Sequence, residues 1–291
     1  MVVVKVGSIY SQFRGFDIIS EIAAKTQSLV LDSIELDFSS CQFFEANMAA
    51  PLYVVIARLR DKINDVSMID ASEGIGRILR KNKFMHVFNI PDLPDTNQTT
   101  LPFKIFKLSS EEQFNDYLDV YMKERGIPTM SRALAKRFKQ SLLEVFLNAA
   151  IHSDSGSGVF VCGQFYPQKQ RIDFTIADAG VGIPEKVSKY LRIDKLDSCE
   201  AIKWALTEGN TTKEGDQPGG LGLKLIKDFI QINKGKLQIV SQFGYYEFSM
   251  HGESYQELNY EFPGTCINIE INTNDSSNYC LQSELSSEDI F

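Results

Sequence analysis

The second half of the chain contains three short segments whose order constrains its fold more than any other feature. In the first, LLEVFLNAAIHS, Glu144, Asn148 and His152 recur every four residues, so they share one face of a helix predicted from about Met130 to His152. A polar stripe on an exposed amphipathic helix would also explain this spacing. Asn148, however, is a poor helix former between apolar neighbours, which favours a role for its amide oxygen in binding a cation.

The second segment, FTIADAGVGIP, predicts a strand that ends at Asp178. Gly180 and Gly182 follow it and permit a turn with close approach of a ligand. A carboxylate at a strand end can accept a hydrogen bond from an exocyclic amine such as that of adenine. A simple surface turn would require only the glycines, so the carboxylate favours a pocket that is selective for a base.

The third segment, PGGLGLKLI, places Gly219, Gly220 and Gly222 at the start of a predicted helix. Amide groups in the first turn of a helix have no intrahelical partner and can face phosphate oxygens. Glycine-rich helix starts are common, so this segment carries little weight alone. The chain contains neither G-x-x-x-x-G-K-[ST] nor a strand-linked G-x-G-x-x-G motif, which argues against P-loop and Rossmann sites.

In this order, E-x-x-x-N, D-A-G-V-G-I-P, G-G-L-G-L and a final G-T-C-I-N-I resemble the N box, the two glycine boxes and the closing strand of the GHKL (Bergerat-fold) ATPases and kinases. The resemblance covers roughly Ser131 to Ile271. It implies a site for ATP and Mg²⁺. The residue roles that it implies are Glu144 as general base, Asn148 as Mg²⁺ ligand, Asp178 as acceptor for the adenine amine, Gly180 and Gly182 in the base pocket, Gly219, Gly220, Leu221 and Gly222 around the phosphates, and Thr265 as support for Asp178.

A long stretch from Glu185 to Pro218 separates the two glycine boxes. Loops of this length are commonly functional. In the family this region is the ATP lid, and the resemblance implies that Thr211, Thr212 or Lys213 meets the γ-phosphate when the lid closes. A disordered loop without that role is the alternative. His152 either touches the phosphates or simply ends its helix, where a cation suits the helix dipole.

The fold class expected for the whole chain is α+β. Residues 1–95 alternate predicted strands and helices, including a helix from Ile75 to Met85, and form a small αβ domain. Its order of elements resembles a STAS domain, the fold of anti-sigma-factor antagonists. Where those antagonists carry a phosphorylatable serine, this chain has Ala46 or Asn47, so regulation by phosphorylation is not expected there. Docking or dimerisation is the simpler interpretation of this domain.

Residues 96–273 form the predicted GHKL domain, an α/β sandwich in which helices cover one face of a mostly antiparallel sheet. After a hairpin over 159–178, four further strands are predicted. They run over Lys236–Gln242, Tyr245–His251, Leu258–Phe262 and Thr265–Ile271. The segment 274–291 is polar and acidic and is predicted to be a disordered tail.

Composition narrows the function further. A formal net charge of -8 and a pI near 5.1 argue against nonspecific nucleic-acid binding, which needs clustered Lys and Arg. The five cysteines show no C-x-x-C spacing, so a zinc site or disulfide framework is not indicated and a reducing compartment fits. The apolar start, MVVVKVGSIY, is too short for a signal or membrane-spanning segment. We therefore expect a cytoplasmic protein without membrane attachment.

Three functions remain open from the sequence. The first is an ATPase that acts as a nucleotide-dependent conformational switch. The second is a protein kinase, of which the serine/threonine kinases of the anti-sigma type are a closer parallel than the histidine kinases, because only His86 precedes the predicted ATP domain. The third is a catalytically idle ATP sensor. Glu144 favours a catalytically active site, because a carboxylate at this position can act as a general base. It does not distinguish hydrolysis from protein phosphorylation, since the base can act on water or on a substrate hydroxyl. A protein partner, a substrate protein or a homodimer would be compatible with each.

Overall fold

The computed structural model describes residues 1–122, 127–152, 156–212 and 221–284. Within them the strands form two sheets. One is a three-stranded parallel sheet in the order β1-β2-β3, and the other is a five-stranded antiparallel sheet in the order β4-β5-β6-β8-β7. The expected α+β class and the sandwich around an antiparallel sheet are confirmed.

The first sheet and its helices make up an N-terminal unit, residues 1–95. Its elements are β1 (Val2–Lys5), α1 (Phe13–Thr26), β2 (Ser33–Asp37), a 3-10 turn (Ala46–Met48), α2 (Ala49–Asp61), β3 (Asp65–Ile69), α3 (Glu73–Lys81) and a second 3-10 turn (Phe84–Phe88). The single helix predicted from Ile75 to Met85 is therefore interrupted. Lys83 adopts a left-handed conformation with φ of 66°, which an α-helix cannot contain.

The second sheet belongs to a C-terminal unit. Its elements are β4 (Thr100–Phe106), α4 (Glu111–Tyr121), α5 (Arg132–His152), β5 (Val159–Tyr166), β6 (Arg171–Asp178), α6 (Ile183–Leu191), α7 (Ser198–Leu206), α8 (Leu221–Asn233), β7 (Lys236–Ser249) and β8 (Gly252–Asn272). Four strands were predicted after residue 235, but the structure has two long ones, β7 and β8. The pairing of β7 with β8 is irregular between Ser241 and Gly244, which bends β7 without ending it.

Both faces of the five-stranded sheet are covered. Along β5, Val159 and Val161 belong to the core formed with α4, α5 and α8, whereas Phe160 and Cys162 belong to the core formed with the N-terminal unit, as the two-residue period of a strand requires. Helix α2 lies between the two sheets, and ten of its 13 residues are buried. An element buried on all sides lacks the polar face of an amphipathic helix.

The core that contains Phe160 and Cys162 is shared by the N-terminal and the C-terminal unit. In it, Tyr53 of α2 packs edge-on against Phe160, with 4.7 Å between the ring centroids. The chain passes from one sheet to the other between β3 and β4. We retain a boundary near residue 95 as a proposal, with the two units in close contact rather than joined by a free linker. The likeness of the N-terminal unit to a STAS domain also remains a prediction.

The segment predicted to be a disordered tail differs in part. Residues 274–284 are described, and the side chain of Tyr279 is buried against Phe229 with ring centroids 5.3 Å apart. The Tyr279 amide donates to the carbonyl of Thr129 at 2.9 Å, and its carbonyl accepts from the Ser131 amide at 2.7 Å. The polar average composition of this segment led to the prediction of disorder, but its one tyrosine is enough to pack the segment against the domain. Residues 285–291 lie outside the described residues.

A buried ionic cluster also joins the two units. Glu45, only 3% exposed, accepts hydrogen bonds from the amide of Ser11 at 2.6 Å and from its hydroxyl at 2.5 Å. The other Glu45 oxygen pairs with the guanidinium of Arg171. Arg171 also contacts Glu270 at 3.0 Å and Asp173 at 3.3 Å. A single guanidinium therefore compensates carboxylates from both units.

We expect Arg171→Met to lower the free energy of unfolding by about 3 kcal/mol, because it removes the charge that Glu45, Asp173 and Glu270 share. The remaining cations, Lys169 at 3.8 Å from Glu45 and Lys236 at 3.3 Å from Glu270, compensate only part of that loss. Urea unfolding of the full chain would measure the loss. Arg77→Met is the matched control: its exposed pair with Glu73 should contribute no more than about 0.5 kcal/mol. Equal stabilities of the two variants would contradict the assignment.

Candidate functional site

A cavity of about 160 Å³ opens between α5, the end of β6, helices α6 and α7, the start of α8, and β8. The structure brings together at its wall seven of the residues singled out in the sequence. They are Glu144, Asn148, Asp178, Gly182, Thr211, Thr212 and Thr265. These residues are up to 121 positions apart, so their convergence is a property of the fold and not of local sequence.

The remaining predicted residues fall into two groups. Gly180 and Gly222 are next to the cavity, where they contact Asp178 and Glu144 respectively. Lys213, Gly219 and Gly220 lie outside the described residues, as do the side chains of His152 and Leu221.

Asp178 ends the strand β6 and is 4% exposed. Its Oδ1 atom accepts a hydrogen bond of 2.8 Å from the amide of Gly180. Burial raises the pKa of Asp178 to about 7, while the Gly180 amide and the guanidinium of Arg58 act in the opposite direction. The carboxyl therefore changes protonation state near neutral pH and has acceptor capacity left for a ligand amine.

The turn after Asp178 needs glycine at one position. Gly182 has a φ of 87°, and a Cβ atom there would lie 2.9 Å from Oγ of Ser241. Ser241 accepts from the Ile183 amide at 2.8 Å, donates to the carbonyl of Gly264 at 3.0 Å and lies 3.1 Å from Oγ1 of Thr265. Thr265 is directly opposite Asp178 in the β6–β8 pairing. Ser241 thus ties the glycine turn to the strand that carries Thr265.

The helix α5 supplies the polar side of the cavity. Oδ1 of Asn148 is buried and has no hydrogen-bond partner among the described residues. One turn earlier, the carboxylate of Glu144 lies against the first turn of α8, where a Cβ atom on Gly222 would be 2.6 Å from Oε2. The amide groups of this turn of α8 carry a partial positive charge. An unpaired amide oxygen, a carboxylate and a helix N-terminus therefore meet in one place.

The cavity wall also includes residues that the sequence did not single out, among them Ile183, Lys186, Trp204 and Asn210. The first two belong to α6, a nine-residue helix that hydrophobic periodicity did not reveal. The available signal was Pro184 in its first turn, two residues after the glycine that precedes the helix. The amide side chain of Asn210 donates to the carbonyl of Trp204 at 2.9 Å, which holds the segment leading to Thr211 against α7.

Comparison with known proteins identifies the C-terminal unit. Residues 133–275 match the profile of the family described as "Histidine kinase-, DNA gyrase B-, and HSP90-like ATPase". Residues 133–275 form a GHKL ATPase domain. The GHKL domain binds ATP, and every predicted site residue from Glu144 to Thr265 lies within it. The N-terminal unit lies outside the matched range.

Several relatives of the chain are named as kinases. The Circadian input-output histidine kinase CikA of Synechococcus elongatus is 25% identical over 195 residues, which are 65% of this chain and 22% of the relative. The Adaptive-response sensory kinase SasA of Prochlorococcus marinus strain AS9601 is 27% identical over 109 residues, 38% of this chain and 26% of the relative. SasA of strain MIT 9215 is 27% identical over 107 residues, with shares of 37% and 26%.

The chain spans about a quarter of the length of these curated relatives. Their names therefore describe proteins with much additional sequence. In the described part of the present chain, none of the helices combines the length and hydropathy needed to span a bilayer.

The raised pKa of Asp178 predicts that function and stability oppose each other at this residue. If Asp178 accepts from the adenine amine, as the resemblance to the GHKL family implies, Asp178→Asn should weaken ATP binding about tenfold or more, because the amide presents a donor to that amine. Above pH 7 the same variant should be more stable than the wild type, by up to about 4 kcal/mol, because it removes a buried ionised carboxylate. Calorimetric titration and thermal unfolding measure the two effects.

The pH dependence follows from the sign of the shift. The ordinary pKa of 3.8 holds in the unfolded chain and the raised value of about 7 in the folded one, so the folded state is the one that retains the proton between these values. The penalty in the wild type is complete above pH 7 and disappears as the pH falls toward 4. A stability advantage of Asp178→Asn that did not shrink over this range would contradict the assignment.

Proposed function

We propose that the protein binds Mg²⁺–ATP in this cavity and hydrolyses it as a nucleotide-dependent conformational switch, with Glu144 activating the attacking water. The observation that carries the proposal is the buried Oδ1 atom of Asn148, which has no hydrogen-bond partner within residues 1–122, 127–152, 156–212 and 221–284 and lies one helical turn from the Glu144 carboxylate. A buried acceptor without a partner is unfavourable. A ligand that supplies the missing partner would remove that cost.

Mg²⁺ suits this atom. The ion prefers oxygen ligands, takes one or two from the protein, and completes its shell with phosphate oxygens and water. The Asn148 amide oxygen would be the protein ligand, and bound Mg²⁺ would neutralise charge on the phosphates. The first turn of α8, which faces Glu144, would bind the phosphates through its free amide groups.

The opposite side of the cavity suits adenine. Asp178 would accept from the exocyclic amine, with Thr265 opposite it on the paired strand. The apolar side chains of Ile183, Val187 and Ile267 line the same cavity and would contact the faces of the base. Guanine would present a carbonyl oxygen to the carboxylate, and two acceptors facing each other disfavour its binding.

Glu144 then has a defined task. Its carboxylate would take a proton from the nucleophile that attacks the γ-phosphorus, while the bond to the bridging oxygen breaks and ADP leaves. Thr211, Thr212 and Lys186 line the cavity near α7 and α6 and would close it from the lid side. Exclusion of water by such a closure strengthens every charge interaction inside.

Protein phosphorylation is the second candidate, favoured by the relatives that are named as kinases. In that case Glu144 would act on a hydroxyl or imidazole of an acceptor protein instead of on water. His86 is exposed on the 3-10 turn of the N-terminal unit, which places one candidate acceptor on this chain. The acceptor could also lie on a partner or on a second copy in a homodimer.

Incubation of the pure protein with γ-labelled ATP separates these candidates. Released phosphate supports the ATPase, label on the protein or on an added partner supports the kinase, and binding with neither product supports an idle ATP sensor. Label retained by a His86→Gln variant would place the acceptor elsewhere.

Glu144→Gln should retain Mg²⁺–ATP binding and lose turnover by about 10² to 10⁴, the usual contribution of general-base assistance. The amide keeps the shape of the side chain and removes its basicity. Phosphate release and calorimetric titration measured on one sample would show the separation of chemistry from binding. Lys136→Gln, an exposed change on the same helix, should keep both. Wild-type turnover in Glu144→Gln would mean that another group is the base.

Asn148→Ala should abolish the Mg²⁺ dependence of ATP affinity, because the metal loses its protein ligand. The apo protein should be no less stable, since the variant also removes the unpaired amide oxygen. Titration of ATP with and without Mg²⁺ measures the first effect and thermal unfolding the second. A Mg²⁺ requirement equal to that of the wild type would show that the ion is held elsewhere.

A further inference from the structure

An arginine of the N-terminal unit reaches the edge of the cavity. Arg58 lies near the end of α2, and its Nη2 atom donates to the carbonyl of Gly180 at 2.8 Å. Its Nε atom donates to the carbonyl of Pro263 at 3.3 Å. Arg58 is half-buried and lies outside the GHKL domain in sequence. Both contacts therefore cross from one unit to the other.

The two carbonyls belong to the two backbone segments that carry the base-reading side chains. Gly180 follows Asp178 by two residues, and Pro263 precedes Thr265 by two. Asp178 and Thr265 are paired across β6 and β8. The segments are in such close contact that a Cβ atom on Gly264 would lie 2.0 Å from the carbonyl oxygen of Asp178. A small displacement of either segment would change the relation between the two side chains.

We infer that Arg58 is a positioning residue of the nucleotide site, which clamps these two segments in the arrangement that adenine binding requires. The inference rests on the assignment of Asp178 and Thr265 to adenine under the proposed function. It makes the N-terminal unit a structural part of the ATP site and not only a cover for the sheet.

The chemistry of arginine suits the clamp. A guanidinium presents several donors in a fixed plane, so one side chain can join two carbonyls at a set distance. Lysine has a single ammonium on a flexible stem and lacks that geometry. The positive charge near Asp178 also lowers the pKa of that carboxyl against the effect of burial, which keeps more of it in the ionised, acceptor-only form at neutral pH.

The helix that carries Arg58 is held firmly. Its residues are buried between the two sheets along most of its length. At its last residue, Asp61 accepts from the hydroxyl of Ser157 at 3.1 and 3.2 Å, on the segment between α5 and β5. The end of α2 is thus held through Asp61 as well as through Arg58, and a clamp mounted on a packed helix is more precise than one on a loop.

The test is the affinity of the full chain for a non-hydrolysable ATP analogue with Mg²⁺, measured between about pH 6 and 9 to bracket the titration of Asp178. Arg58→Met should weaken binding about tenfold or more, as loss of a charge-assisted hydrogen bond does, and should move the midpoint of the pH dependence upward. Arg58→Lys should restore the midpoint, because it restores the charge, but only part of the affinity, because it cannot span both carbonyls.

Arg60→Met is the matched control. Arg60 is on the same helix but donates to the carbonyl of Val87 within the N-terminal unit, so its loss should leave both affinity and midpoint unchanged. Wild-type affinity and midpoint in Arg58→Met would overturn the inference. If Arg58→Met does not fold, wild-type affinity in Arg58→Lys would overturn it instead. Analogue binding without any turnover by the wild type would count against the proposed function alone, whereas no wild-type binding would overturn both.

Discussion

The structure depends on one strand. β6 is paired along its whole length with β5 and β8, and both of its faces are covered: Phe174 and Ile176 pack toward α5 and α8, while Ala177 packs toward the N-terminal unit. A strand held on two edges and two faces has no freedom to shift register. Its last residue, Asp178, therefore enters the cavity at a fixed position, and the turn that follows can be short.

This fixation conflicts with stability. Burial that orients the Asp178 carboxylate also disfavours its charge, and the Gly180 amide and Arg58 act against that effect. Asn148 shows the same conflict in a neutral group, because its buried Oδ1 atom has no partner in the part of the chain that the structure describes. Polar groups left in this state are typical of sites whose partner is a ligand. The packing of α5 and α8 on the sheet offsets the unfavourable free energy of burying these two groups.

The sequence predicted the half of the site that depends on local rules. A four-residue repeat on a helix placed Glu144 and Asn148 together, and a strand followed by glycine placed Asp178 at a strand end. The other half is tertiary. Arg58 reaches the site from a buried helix and Ser241 from β7, and no local sequence pattern indicates that either residue belongs to the site. The helix α6 has only nine residues, too few for its hydrophobic periodicity to be recognised. The same distinction holds for the fold. The types of the elements follow from local sequence and were predicted well. The continuation of β7 through its bend and the packing of α2 on the sheet depend on contacts between residues far apart in the chain, so the sequence did not predict them.

Because α2 packs against both units, a change in its position would affect both of them. The helix packs on both sheets and, through Arg58, contacts the segments that carry Asp178 and Thr265, so any change that displaces α2 must alter contacts on both sides. Coupling free energies are reciprocal: if a displaced α2 weakens ATP binding, then bound ATP resists the displacement by the same amount. A partner of the N-terminal unit would therefore sense the nucleotide without touching it, provided that its binding favours one position of the helix. Such coupling would pass through the packing of α2 and would need no motion of the five-stranded sheet, whose central strand is held at both edges and on both faces.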